Sequence, residues 1–133
     1  MSLFNAWLLS RSLETLPLRM DWHCQNALSV AELLEKHPAV SSIKYPFLPS
    51  HPQYELVKKQ MKQGGGLLTF ELKSSFEAAK KFLDALQIIL ITSNLGDSRS
   101  IATQPTSTTH SKLSEDDRFQ IGIFPGFDTH FIA

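Results

Sequence analysis

Apolar positions recur at helical spacing from the start of the chain. Leu3, Phe4, Trp7 and Leu8 fall on one side of a helix. Pro17 then forbids an undisturbed helix, because its ring clashes with the preceding turn and it lacks an N–H. Met20, Cys24, Ala27, Ala31 and Leu34 form a second stripe, which ends at the "KHP" before Pro38. One bent helical arm of roughly thirty residues is predicted. "VSSIKYP" reads as a short strand closed by Pro46. "SHPQ" predicts a capping box, with Ser50 as N-cap and Gln53 three residues on. The helix behind it carries Tyr54, Val57 and Met61 and is expected to run to Gly64-Gly65-Gly66, where the chain can turn with positive φ or admit another backbone.

The next segments change period. "LLTFEL" alternates, with Leu68, Phe70 and Leu72 on one face of a strand. Ser74 and Glu77 form a second capping box, followed by a helical stripe of Phe76, Ala79, Phe82, Leu83 and Leu86. "QIILIT" is continuously apolar and predicts a strand buried on both faces. From Ser93 to Ser111 neither helical nor strand period is visible. Ser114, with Glu115, Asp116 and Asp117 behind it, opens a short helix. "FDTHFIA" predicts a final strand. Strand and helix alternate after the arm, so the fold class is α/β: a small sheet covered by helices. No internal repeat is present. A loop of about twenty residues in a compact domain usually carries function, which directs attention to residues 93–111.

Composition narrows the classes. The 133 residues suit one domain, 42% hydrophobic and 20% charged, with a formal net charge of zero. No basic surface argues for nucleic acid. Lys58, Lys59, Lys62, Lys80 and Lys81 read as solvated helix faces. A lone cysteine, Cys24, allows no internal disulfide and fits a reducing, cytoplasmic setting. The opening apolar run is too short to span a membrane and lacks a basic flank, so neither a signal peptide nor a transmembrane helix is expected.

"IILITSNLGDSRS" raises one chemical question, whether Ser98 of Gly96-Asp97-Ser98 is an esterase-type nucleophile. Such a motif belongs after a first strand, whereas here it follows the last strong one. Asp128 and His130 follow closely, two apart, and too little chain remains to build a sheet around a nucleophile. A polar turn is the expected reading. His23 and Cys24 are helix neighbours pointing about 100° apart, a poor metal pair. His37, His51, His110 and His130 lack ligand spacing, and no P-loop, dinucleotide or zinc motif occurs.

Taken in order, "FNAW", "LETLPLRM", "LPSHPQYELVKKQM", "GGLLTFEL", "NLGDSRSIATQPTSTTHSKLS" and "GIFPG" resemble the C-terminal part of the Cys/Met-metabolism family of pyridoxal-phosphate enzymes. Within it, "NLGDSRS" with "STTHSKLS" is most similar to the O-acetylhomoserine sulfhydrylase branch, with the O-succinylhomoserine enzymes close behind. The likeness covers about residues 2 to 126. It implies the small C-terminal domain of the aspartate-aminotransferase-like (fold type I) architecture. Residues 1–37 would be the arm leading to a large domain, and residues 38–133 the small α/β domain.

The resemblance also assigns the loop. It implies that the loop faces the cofactor pocket, that Asn94 approaches the substrate α-carboxylate, and that Leu95 and Gly96 shape the backbone beside it. Arg99 would help attract the anion, and Thr108, Thr109 and His110 would line the entrance. Family members hold pyridoxal phosphate on a lysine of the large domain, and no lysine here sits in a matching motif. The chain is therefore expected to bind no cofactor alone and to be inactive, with the first residues matching an internal family segment. After "PG" the family ends in Leu-Ile-Arg, whose arginine binds the carboxylate; Thr129 stands in its place. A single-base frameshift after Gly126 is compatible with the observed ending. The expected function is a fragment of an O-acetylhomoserine sulfhydrylase-like enzyme. The alternative is an interaction module that pairs with a full-length homologue or with itself. An amino-acid substrate belongs to the intact family, and neither nucleic acid nor membrane is an expected partner. Trp7 and Trp22 are expected on an exposed apolar arm surface.

Overall fold

The computed structural model describes residues 1–73, 76–94, 96–121, 123 and 128–132; of residues 76 and 128–132 only the backbone is described. The arm is two helices, α1 (Leu3–Glu14) and α2 (Leu16–Glu35), meeting at Thr15. Ser2 caps α1 by accepting from the Asn5 N–H at 3.2 Å. Pro17 lies in the first turn of α2, where a missing N–H leaves no bond unmade, so the proline starts a helix rather than kinking one.

Only the later turns of α2 enter the core. Cys24, Ala27 and Ala31 are buried, and the two alanines let the sheet approach closely. The expected stripe fails at its start, since Met20 is exposed together with Leu16, Leu18 and Trp22. No residue of α1 is buried.

Strand β1 (Val40–Lys44) pairs antiparallel with β2 (Leu67–Leu72), and β2 pairs antiparallel with β5 (Asp128–Ile132). β5 pairs antiparallel with β4 (Ile101–Thr103), which runs parallel to β3 (Leu90–Ile91). The sheet order is β1-β2-β5-β4-β3. Helices α3 (Tyr54–Gln60), α4 (Phe76–Asp84) and α5 (Glu115–Gln120) complete the described elements. Leu68 and Phe70 of β2 are buried as their alternation predicted, and Phe70 meets Phe82 of α4 edge to face at 5.5 Å. Ala27, Ala31, Val40, Leu48, Leu83 and Ala102 close the core around them.

Tyr45 anchors the turn after β1. It is 1% exposed, and its hydroxyl lies 3.3 Å from the Cys24 carbonyl and 3.0 Å from that of Gly65. One proton is thus shared between two acceptors, joining α2 to the glycine turn. Burial, with the Cys24 sulfur adding to it, raises the Tyr45 pKa to about 12. The folded state therefore holds this proton more tightly than the unfolded chain does. Its contribution is complete below pH 10, and stability should fall as pH rises from about 10 to about 12. Urea unfolding across that window, with Tyr45→Phe as the comparison, checks this.

Several sequence expectations are corrected. Ser50 does not cap α3; its hydroxyl bonds the Glu35 carboxylate, and Gln53 occupies the cap position without a side-chain bond. α3 stops at Gln60, short of the glycines, with Met61 already extended. "QIILIT" is not doubly buried. Ile89 packs against the core, but Ile88 is 89% exposed and Leu90 and Ile91 are exposed on an edge strand bonded to β4. Conversely, the segment read as structureless contains β4, whose three residues are all buried. Three residues are too short to display a period of two, so a wholly buried strand was hidden among polar neighbours. Ser114 does cap α5, accepting from the Asp117 N–H at 3.1 Å. The Ser74 capping box lies outside the described residues.

Candidate functional site

The loop between β3 and β4 is organised by Asp97. Its carboxylate accepts from the Arg99 backbone N–H at 3.0 Å, from Arg99 Nε at 3.0 Å and Nη2 at 2.9 Å, and from Asn94 Nδ2 at 3.2 Å. Gly96 adopts φ +86°, a left-handed conformation that bends the chain back so that Asn94 and Arg99 both reach one carboxylate. These bonds, those from Arg99 first, hold the Asp97 carboxyl well below the usual carboxylate range. Asn94, Gly96 and Arg99 lie together around this carboxylate, and Leu95 lies outside the described residues.

Asp97 itself is the functional-looking residue that sequence reasoning left out. An Asp two residues before an Arg, after a glycine, is the signal that could have found it. The Arg99 guanidinium is spent on this partner, which reduces its pull on an outside anion. An NH₂ group carries two donors and Asp97 takes one, so the second Asn94 amide proton meets no partner among the described residues.

The loop lies against the first half of α2. Leu16, Arg19, Met20, His23, Gly66 and Leu67 line a cleft of about 190 Å³ with Gly96 and Asp97. On the other flank, Trp22, His23 and Asn26 line a second with Ser98 and Ser100. Arg19 is oriented from below by the Ser12 carbonyl at 2.8 Å. Ser98 is an exposed turn residue, consistent with the polar-turn reading. His23 and Cys24 part as the helix requires: Cys24 is buried, whereas His23 lines both clefts. No group of three metal-ligating side chains occurs among the described residues.

Beyond β4 the chain turns through a buried polar knot. Thr108 Oγ1 donates to the Gln104 carbonyl at 2.8 Å and lies 2.9 Å from Thr103 Oγ1. Arg118 Nη1 of α5 donates to the Thr106 carbonyl at 3.2 Å. Gln104 and Thr106 are buried, yet Gln104 Nε2, Thr106 Oγ1 and Arg118 Nε find no partner among the described residues. Thr109 is bonded to His110 Nδ1 at 2.8 Å.

Asp97→Ala should release Asn94 and Arg99, because four hydrogen bonds from these two residues converge on its carboxylate. Amide exchange of Arg99 should accelerate while core amides stay protected. In the native chain the Asp97 bonds should persist as pH falls through 4, because a depressed carboxylate is protonated only below its ordinary range.

The sequence matches the Cys/Met metabolism PLP-dependent enzyme family over residues 1–127. The chain belongs to that family. It is 46% identical to the L-methionine gamma-lyase of Porphyromonas gingivalis over 126 residues, 95% of this chain and 32% of that protein. It is 44% identical to the O-acetyl-L-homoserine sulfhydrylase of Leptospira meyeri over 126 residues, 93% of this chain and 28% of the relative. Among solved structures, cystathionine gamma synthase from Xanthomonas oryzae superposes with a TM-score of 0.89 at 34% identity, over 98% of this chain and 34% of that one. A putative O-acetylhomoserine (thiol)-lyase from Campylobacter jejuni, solved with N'-pyridoxyl-lysine-5'-monophosphate, gives 0.88 at 42% identity over 97% of this chain and 31% of that one. These structures place the fold among the PLP-dependent fold type I enzymes, and this Cys/Met-family chain spans about a third of the length of its relatives.

The residues present do not fit pyridoxal phosphate. A lysine that carries the cofactor must be desolvated in a fitted pocket. All nine lysines of this chain are exposed. None lines either cleft beside the loop. No helix among the described residues is long and apolar enough to cross a membrane.

Proposed function

We propose that this chain is the small, C-terminal domain and connecting arm of an O-acylhomoserine-processing enzyme of the O-acetylhomoserine sulfhydrylase type, and that it is catalytically silent alone. The carrying observation is the Asp97-centred loop, which holds the Asn94 amide exposed with one proton that meets no partner among the described residues. In the intact enzyme this donor would meet the substrate α-carboxylate, with Leu95 and Gly96 shaping the backbone beside it. Arg99, neutralised by Asp97, acts chiefly to hold the loop. Thr108 and Thr109, each bonded within the turn, would border the entrance with His110. Pyridoxal phosphate, supplied by the rest of the enzyme, would provide the electron sink for replacing the acetate of O-acetylhomoserine by sulfide.

The exposed lysines support inactivity in isolation, as does Thr129, which a family arginine would precede in strength as a carboxylate ligand. The pure chain with pyridoxal phosphate, O-acetylhomoserine and sulfide should form no homocysteine above the protein-free rate. Cofactor-dependent product formation would overturn this.

A second reading rests on the arm. Leu3 is 92%, Trp7 57% and Trp22 65% exposed, an apolar surface that invites a partner. In that reading the chain is a non-catalytic module pairing with itself or with a full-length homologue. Co-purification with the homologue, lost when Trp7 and Trp22 are replaced by Ser, separates it from the first.

A further inference from the structure

A larger cavity lies away from the loop. It holds about 580 Å³ between the end of α2, strands β1 and β2, and α4, within the range of small-molecule sites. Its walls are Leu33, Leu34, Val40, Phe70, Leu72 and Phe82. The polar groups among its lining residues are cationic or basic. Lys73 follows β2, Lys81 lies in the last turn of α4, and His37 follows α2. No aspartate or glutamate is among the described lining residues. Both lysines are exposed, and neither joins an ion pair among the described residues. His37 Nδ1 accepts from the Ala39 N–H at 3.2 Å, which leaves Nε2 as the ring's proton-bearing nitrogen.

We propose that this cavity binds an amphipathic carboxylate, an aliphatic chain of about ten carbons with one anionic head. The chain lies on the apolar wall, and the carboxylate meets Lys73 and Lys81, with the His37 N–H as a third donor. Charge decides the occupant. A neutral lipid would gain from the apolar wall but would make no use of the ammonium groups, and a second copy of this chain, with as many acidic as basic side chains, would bring them no net negative charge. Two flexible ammonium groups suit one carboxylate as point charges rather than as a rigid fork.

Decanoate, below its micelle concentration, is the probe, added to the full chain and followed by backbone amide shifts. Saturable shifts at Leu34, Val40, Leu72 and Ala78 are expected. The Lys73→Gln/Lys81→Gln double variant, which alters only exposed side chains, should bind about tenfold more weakly. It should bind decanol as the native chain does. Ala78→Trp should fill the cavity and abolish the shifts. Equal decanoate binding by native chain and double variant would overturn the proposal. So would the absence of saturation, or shifts confined to the exposed face of α1 and α2. Shifts that track protein concentration instead of decanoate would assign the cavity to a second copy and also overturn it.

Discussion

Phe70→Ala should leave most of the chain unfolded at room temperature. Phe70 is 2% exposed at the centre of β2, with β1 on one side and β5 on the other. Its ring meets Phe82 edge to face, so truncation removes the link between sheet and α4 as well as the buried area. Phe-to-Ala changes at such sites cost about 3–5 kcal/mol, and domains of this size hold only about 5–15 kcal/mol in total. The apolar surface left open on α1, on the first turns of α2 and on β3 places this chain toward the lower end. Urea titration followed by far-UV circular dichroism should give a midpoint near or below zero denaturant. A midpoint shifted by less than the equivalent of about 1 kcal/mol would mean that Phe70 is not a core residue.

Gly64→Ala should be the next most damaging change and a test of the Tyr45 anchor. A Cβ at Gly64 would lie 2.6 Å from both Cζ and the hydroxyl of Tyr45. That end of the ring cannot swing away freely, because the residue is buried and its hydroxyl is bound to two carbonyls. The clash must displace either α2 or the glycine turn, at a cost of about 1–3 kcal/mol. Gly65 supplies the contrast. It has φ +79° and nothing near its missing Cβ, so Gly65→Ala meets backbone strain alone, about 1 kcal/mol. Combining Gly64→Ala with Tyr45→Leu should recover part of the loss, whereas Gly65→Ala should gain nothing from the same partner. Thermal unfolding of the five proteins, native chain included, decides this.

Much of the architecture was legible because its signals are local. The proline in the first turn of α2, the serine before α5 and the alternation in β2 each express a backbone requirement within a few residues. The errors arose where distant contacts decide. Ser50 had a competing partner in Glu35, far away in sequence, which no capping pattern reveals. The apolar run ending in β3 and the polar segment containing β4 exchanged roles, because burial depends on which strands flank each one. At the loop, the sequence placed Asn94, Gly96 and Arg99 together but not the carboxylate that gathers them. Asp97 acts through hydrogen bonds whose geometry depends on the left-handed turn at Gly96. Arg19 and His23 reach the same place from α2, and no short motif joins them to it.

The apolar character of "QIILIT" and of the arm now has a common explanation under the proposed function. Under that proposal these surfaces would face elements supplied by the rest of the enzyme, as would Gln104 Nε2 and Thr106 Oγ1, which meet no partner among the described residues. The nucleotide sequence on both sides of this reading frame tests that claim most directly. If the chain is the small domain of an O-acylhomoserine enzyme, the upstream codons specify a domain with the cofactor lysine. The codons after Gly126, read one base later, then restore the Leu-Ile-Arg ending. Unrelated upstream DNA, with a tail that restores no arginine in any frame, would contradict it and leave a free-standing domain.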